Sequence, residues 1–233
     1  MNEVSSRLEM LIGEQSLDKL KKSHVAIFGV GGVGGYVLES LVRSFVGEIT
    51  VVDSDYVAVS NINRQILATT DTIGRRKVEV AKDRVKSINE NCVVHTVDMF
   101  FLPENSHEID FSRFDYIVDA IDTVSAKIEL AKIAQEKNIP IIACMGTGNK
   151  LHPEFLEVSD IFKTSVCPLA RAMRSLCKKN GIKKLKVVYS KEESKKAVEN
   201  ESISGKSIPA SSAFVPSAAG LIISSVVVND MIK

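Results

Sequence analysis

The stretch from His24 to Asp55 constrains this chain more than any other. Val25 to Phe28 is a short apolar run rich in branched residues, the pattern of a buried strand. It leads directly into Gly29-Val30-Gly31-Gly32-Val33-Gly34, a G-x-G-x-x-G turn. Leu38, Leu41, Val42 and Phe45 then recur at helical spacing, so a helix follows with those side chains inward. Ile49 to Val52 is a second apolar run, and Asp53 closes it. Strand, glycine turn, helix, strand and acidic residue, in that order, make the dinucleotide-binding unit of an open parallel sheet.

Each part has a physical reason. Gly29 and Gly31 let the chain turn tightly and let a phosphate approach bare backbone, and Gly32 and Gly34 complete the cradle. The helix behind them offers unpaired N–H groups and the positive end of its dipole. Asp53 can accept hydrogen bonds from ribose hydroxyls. Glycine turns also serve packing alone, and the motif by itself does not name the nucleotide.

The rest of the chain repeats the alternation. Arg7, Leu8, Met10, Leu11, Leu17 and Leu20 suggest one or two amphipathic helices within residues 1–22, either a cover for the sheet or a surface for a partner subunit. After Asp53 comes a polar loop with one short helical turn. A helix is expected from about Gly74 to Ile88, with Val78, Ala81, Val85 and Ile88 inward. Cys92 to Val97 and Tyr116 to Ile121 read as the third and fourth strands. Val124 to Asn138 reads as a helix with Ile128, Ala131 and Ala134 inward, and Pro140 to Cys144 as the fifth strand. Strands alternating with helices predict an α/β, Rossmann-like, doubly wound and mostly parallel sheet. A nucleotide-binding core over 23–150 is thus expected within a single domain, with an extension over 151–233. In that extension Phe155 to Ile161 and Leu185 to Tyr189 read as strands, and Pro168 to Lys179 as a helix. Lys191 to Ser212 is polar, serine-rich and aperiodic, the pattern of a mobile loop. Pro216 suits the first turn of a final helix, with Ala219, Ile222, Ile223 and Val226 inward.

Composition matters mainly for what it excludes. A formal net charge of +1 announces no nucleic-acid partner, so any basic patch must be local. Cys92, Cys144, Cys167 and Cys177 form no C-x-x-C pair, which argues against a cysteine zinc site and a disulfide framework and suits a reducing cytoplasm. The N-terminus lacks the apolar core of a signal peptide. The longest apolar-rich stretch, Ala218 to Val228, is broken by serines and reads as too short to span a bilayer, which leaves a peripheral membrane contact at most.

Asp53-x-Asp55, Ser60-Asn61-Ile62-Asn63-Arg64-Gln65, Gly74-Arg75-Arg76-Lys77 and Asp119-Ala120-Ile121-Asp122 follow the glycine turn in order. Together they resemble the adenylating domain of the ThiF-like, ubiquitin-activating superfamily, over about residues 7–190 and 214–232. The resemblance implies that ATP is bound and a carboxylate adenylated. It implies that Asp53, with Asp55 beside it, holds the ribose, and that Asn61, Arg64 and Gln65 face the phosphates. Lys77 would neutralise charge building on the α-phosphate or pyrophosphate, and Asp122 would hold Mg²⁺. In the superfamily an arginine of the N-terminal helix crosses a dimer interface, and Arg7 is the matching position, so a homodimer is implied. Taken singly, Arg64 and Lys77 are ordinary surface charges, and Asp122, or Thr123 after it, an ordinary helix cap.

Leu11 to Leu20, His24-Val25, Val118 to Asp122, Asp160 to Ser165 and Pro168-Leu169-Ala170 are similar to one branch, the tRNA threonylcarbamoyladenosine dehydratases. That branch closes a ring on a modified adenosine beside the anticodon, at the cost of ATP. The likeness implies a tRNA substrate and leaves room for a sulfur-metabolism protein as a partner, and without paired C-x-x-C motifs no zinc is expected. Cys167 departs from the aspartate expected there. It reads either as an acyl acceptor, activated by Arg171 and Lys163, or as an ordinary thiol in a loop. Arg171, Arg174, Lys178, Lys179, Lys183, Lys184 and Lys186 could form a basic face for tRNA, or a solvated helix surface. Two other activities stay open, a sulfur-carrier adenylyltransferase and a nicotinamide-dependent dehydrogenase, besides a non-catalytic nucleotide-binding module. The dehydrogenase would leave Ser60 to Gln65, Lys77 and Asp122 unexplained.

Overall fold

The computed structural model describes residues 4–195 and 209–233. Seven strands form one sheet: β1 (His24–Phe28), β2 (Glu48–Val52), β3 (Val93–Val97), β4 (Tyr116–Asp119), β5 (Ile141–Cys144), β6 (Leu156–Asp160) and β7 (Lys186–Ser190). Their order is β3-β2-β1-β4-β5-β7-β6. All neighbours run parallel except β6, which lies antiparallel on β7 at the edge. The chain leaves β1 toward β2 on one side and returns to β4 on the other, so a crevice opens at the carboxyl ends of β1 and β4.

β1 is buried along its whole length because helices cover both faces. Val25 and Ile27 point to one core, shared with α3 (Gly34–Arg43), α4 (Lys77–Ile88) and α7 (Phe214–Met231). Ala26 and Phe28 point to the other, shared with α5 (Val124–Lys137) and the rings of Phe101, Phe111 and Phe114. A third core lies under α6 (Pro168–Lys179), where Met173 and Cys177 meet Ile161, Val187 and Tyr189. Glu39 of α3 is locked between Arg43 and Arg84 of α4, at 2.7 and 2.8 Å. Burial pushes its carboxyl up, but the hydrogen bonds from Arg84 and Arg43 outweigh that and hold it below the ordinary glutamate value.

Several boundaries differ from expectation for local reasons. Phe45 is not on the helix: α3 ends at Arg43, and Phe45 has a left-handed backbone with φ of 62°. α4 starts at Lys77 rather than Gly74, because Gly74 takes φ of 82° and Arg76 pairs with Tyr56 in an isolated bridge. β4 stops at Asp119, two residues short of Ile121, which belongs to the loop that follows. On the final helix, Val227 is fully buried, while Ile222 and Val226 are partly so. That helix has 18 residues and is apolar enough to cross a membrane by length and composition. The expectation from the shorter run was therefore wrong about length. Val215, Ala219, Ile223 and Val227 are instead fully buried, which accounts for one face of its apolar character.

The N-terminal segment divides at Gly13 into α1 (Ser6–Ile12) and α2 (Glu14–Lys22). Leu17 and Leu20 of α2 are buried, while Met10 and Leu11 of α1 are 75% and 81% exposed. The loop expected over 191–212 falls mostly on residues 196–208, outside the described residues. Its two described ends meet, since Asn149 accepts from the N–H groups of Lys195 and Ala210.

Candidate functional site

The crevice at the carboxyl ends of the strands is a cleft of about 550 Å³. Its floor is the glycine turn. Gly29 has φ of 86°, and a Cβ there would lie 2.9 Å from the Ala120 carbonyl. A Cβ on Gly34 would lie 1.8 Å from the Gly29 carbonyl, so only glycine lets α3 start this close to the turn. Gly29, Gly31 and Gly32 line the cleft, whereas Gly34 lies behind it and serves the close approach. No side chain caps α3, and Val33, which precedes it, lines the cleft.

Asp53 directly follows β2 at the cleft wall. Its carboxylate accepts from the N–H of Val30 and from the N–H of Asp55, each at 2.8 Å. The acid thus ties the glycine turn to β2 and keeps lone pairs for a ligand hydroxyl. Asp55 holds the ammonium of Lys77 at 2.7 Å, and Lys77 is only 4% exposed. Lys77 is therefore a fixed cation in the wall and not a surface charge. Arg64 donates to the Ser60 carbonyl and to Asn63 Oδ1, which pins the helical turn that carries Asn61. Asn61 Oδ1 accepts from the Ala58 N–H. Gln65 is 7% exposed, and its Oε1 has no hydrogen-bond partner among the described residues. A buried amide left so at the wall of a polar cleft fits a ligand or water donor.

Asp122 lines the cleft from the loop after β4 and is exposed. It does not cap α5: Thr123 holds that position, and its side chain makes no capping bond. So Asp53, Asp55, Asn61, Arg64, Gln65, Lys77 and Asp122 meet in one cleft with three of the four motif glycines. Arg7 does not join them. It is exposed on α1 and absent from the lining.

The remaining wall was not singled out from the sequence. Met99, Phe100 and Phe101 follow β3 and give the cleft an apolar side, and Phe100 is 54% exposed. Tyr56 lines the cleft beneath the Arg76 guanidinium, which lies 4.1 Å from its ring centroid. Thr147, Ser211 and Pro216 close the far side. The position of Met99 to Phe101 just past a strand end was the available signal.

Cys167 is 1% exposed, packed near Gly146 with its Sγ 3.9 Å from where a Cβ would sit. It is a buried thiol at the start of α6 rather than one in an open loop. All four cysteines are buried free thiols. Burial pushes the Cys144 thiol up to about 12 and those of Cys92 and Cys177 up to about 11. On α6, Arg171, Lys178 and Lys179 are exposed, as are Lys183 and Lys184 beyond it. Arg174 is instead bound to Thr164, and Lys186 to Asp230.

At the opposite end of the sheet His24, Glu48 and His95 approach one another closely enough to share an ion. Glu48 Oε1 already serves His95 at 2.7 Å and Arg113 at 3.1 Å, and His24 Nε2 meets Thr50 Oγ1 at 2.8 Å. A network satisfied in this way, with a guanidinium against the shared oxygen, is an ion-pair cluster. Burial is the main influence on His24 and lowers its pKa below the ordinary histidine value.

The model of the ThiF family matches residues 5–231. The tRNA threonylcarbamoyladenosine dehydratase of Bacillus subtilis (strain 168) is 41% identical, over 98% of this chain and 94% of that protein. The crystal structure of Escherichia coli tRNA N6-threonylcarbamoyladenosine dehydratase, TcdA, in complex with AMP superposes with a TM-score of 0.88. It is 32% identical, over 97% of this chain and 92% of that one. The same enzyme in complex with ATP gives a TM-score of 0.86 at 31% identity, over the same shares.

Proposed function

Because the chain belongs to the ThiF family, we propose that it is an ATP-dependent tRNA threonylcarbamoyladenosine dehydratase. The observation that carries this reading is the single cleft in which the glycine turn, Asp53, Lys77, Arg64, Gln65 and Asp122 converge. The 41% identity to a dehydratase over nearly the whole of both chains supports the substrate.

Adenylation asks a weak carboxylate nucleophile to attack an α-phosphate already crowded with negative charge. Cations and positioning are therefore the main requirement. The glycine turn and the uncapped start of α3 receive phosphate oxygens. Asp53 orients the ribose, and Phe100 offers a flat apolar face to the base. Lys77, held by Asp55, supplies positive charge where the pyrophosphate departs. Arg64 and Asn61 hold the remaining phosphate oxygens, and the unpartnered Gln65 oxygen takes a donor from the bound ligand. Asp122 is a hard oxygen donor with solvent around it, which suits Mg²⁺. Mg²⁺, when bound, neutralises phosphate charge and aligns pyrophosphate as the leaving group. The carbamoyl group that joins threonine to the adenine then attacks the activated carbonyl, a proton is given up as the five-membered ring closes, and AMP leaves. Buried Cys167 takes no part.

Transfer RNA lies against the exposed cations Arg171, Lys178, Lys179, Lys183 and Lys184, through its phosphates. Such a substrate places the work in the cytoplasm. The exposed Met10 and Leu11 beside Arg7 support a homodimer in which Arg7 reaches the neighbour's cleft. The test offers ATP with modified tRNA, unmodified tRNA and a sulfur-carrier protein in separate reactions. AMP should accumulate with modified tRNA alone. Release driven by the carrier protein would replace the dehydratase reading with the adenylyltransferase one.

A further inference from the structure

α5 buries a lysine that its hydrophobic pattern does not reveal. Lys127 is fully buried, between the inward residues Ala126 and Ile128. Its ammonium donates to Asp119 Oδ1 at 2.9 Å and to the Cys144 carbonyl at 2.8 Å. Asp119 is the last residue of β4 and Cys144 the last of β5, its parallel neighbour. Asp119 is fully buried too. Its Oδ1 also accepts from the Ile121 N–H at 3.2 Å, while its Oδ2 has no partner among the described residues.

Taking a lysine and a carboxylate out of water is costly, and apolar residues of similar size serve stability as well or better. Stability alone is therefore a weak reason for the pair. Its location is a stronger one. Ala120, Ile121 and Asp122 directly follow Asp119 and line the cleft, and Thr147 lines it just beyond Cys144. The same loop carries the Ala120 carbonyl against which Gly29 is pressed. One buried ammonium thus ties two strand ends together at the crevice, and through the Ile121 N–H it reaches the residue before Asp122.

We infer that Lys127 and Asp119 are positioning residues for the adenylation step, which hold the cleft wall that carries Asp122 in place against the glycine turn. This rests on the reading that Asp122 acts on bound ATP. A rigid wall matters because a displacement of about 1 Å at a reacting group can cost about a hundredfold in rate. The orphan Oδ2 means that the acid is not over-determined by its own neighbours, so Lys127 is its principal tether.

The test is a double-mutant cycle on AMP release with modified tRNA, together with ATP affinity and a thermal melt. Lys127→Met and Asp119→Asn are combined, so that no buried charge is left uncompensated. The pair variant should fold, bind ATP within about threefold of the wild type, and lose about tenfold or more in kcat. Asp122→Asn should cost about a hundredfold alone but under about tenfold in the pair variant, because a displaced Asp122 has less to lose. If the pair variant melts below the assay temperature, the same cycle is run for all variants at a temperature below its melt, with the same expectations. Multiplying effects, with Asp122→Asn still harmful alone, would overturn the positioning role while leaving the functional reading intact. An unimpaired kcat in the pair variant would overturn it as well. A harmless Asp122→Asn would instead remove the functional reading, and this inference with it.

Discussion

Asp122→Asn separates catalysis from folding more cleanly than any other change in the cleft. The aspartate is exposed and caps no helix, so the amide should alter stability by no more than about 0.5 kcal/mol. The neighbouring acids would not serve as well, since Asp53 holds two backbone N–H groups and Asp55 holds Lys77. Shape is nearly unchanged and one negative charge is lost. If that charge acts only as pyrophosphate leaves, the barrier rises by about 2.7 kcal/mol, a hundredfold in rate. Nucleotide binding should weaken by about tenfold or less, about 1.4 kcal/mol, because the glycine turn, Asp53 and Lys77 remain. The assay is AMP release with modified tRNA, beside ATP binding by calorimetry and a thermal melt. A folded variant that binds ATP and releases AMP at near wild-type rate would refute the reasoning.

Other changes probe other parts of the account. Cys167→Ala should destabilise the protein by about 1–2 kcal/mol through lost packing, yet keep most ring-closing activity; loss of ring closure with adenylation intact would restore an acyl role. Arg84→Met should cost about 1 kcal/mol at neutral pH, discounted for the exposure of Arg84. Because the folded-state pKa of Glu39 is depressed, that difference should be full above the ordinary glutamate value and shrink as pH falls through the lowered one, as read by urea titration across acidic pH. Arg7→Ala should leave the melt unchanged and lower kcat, and sedimentation at assay concentration should give a dimer; a fully active monomer would count against the composite site.

Much of the cleft was legible because its parts are local. A strand that runs into Gly29 to Gly34, and an acid at the end of the next strand, declare themselves by spacing alone. The set from Asn61 to Lys77 was legible by resemblance, and folding brings it to the same wall. What escaped depends on contacts between distant segments. Lys127 sits among inward residues of α5, but its burial is decided by Asp119 and the Cys144 carbonyl, on two other elements. The burial of Cys167 depends on how α6 lies against the strand that leads to Gly146. The antiparallel sense of β6 carries no periodic signal, because strands of either sense alternate alike. Phe45 broke the helical pattern through its backbone, which the spacing of apolar residues does not report.

Oxygen tracing tests the central claim most directly. Adenylation places a carboxylate oxygen between carbonyl carbon and α-phosphorus, and ring closure breaks the bond on the carbon side. That oxygen must then leave with AMP. Modified tRNA carrying ¹⁸O in the threonyl carboxylate is turned over with unlabelled ATP, and the nucleotide product is weighed by mass spectrometry. The account predicts AMP bearing one ¹⁸O, formed in step with the cyclic product. Unlabelled AMP, or ADP with the label in released phosphate, would contradict it.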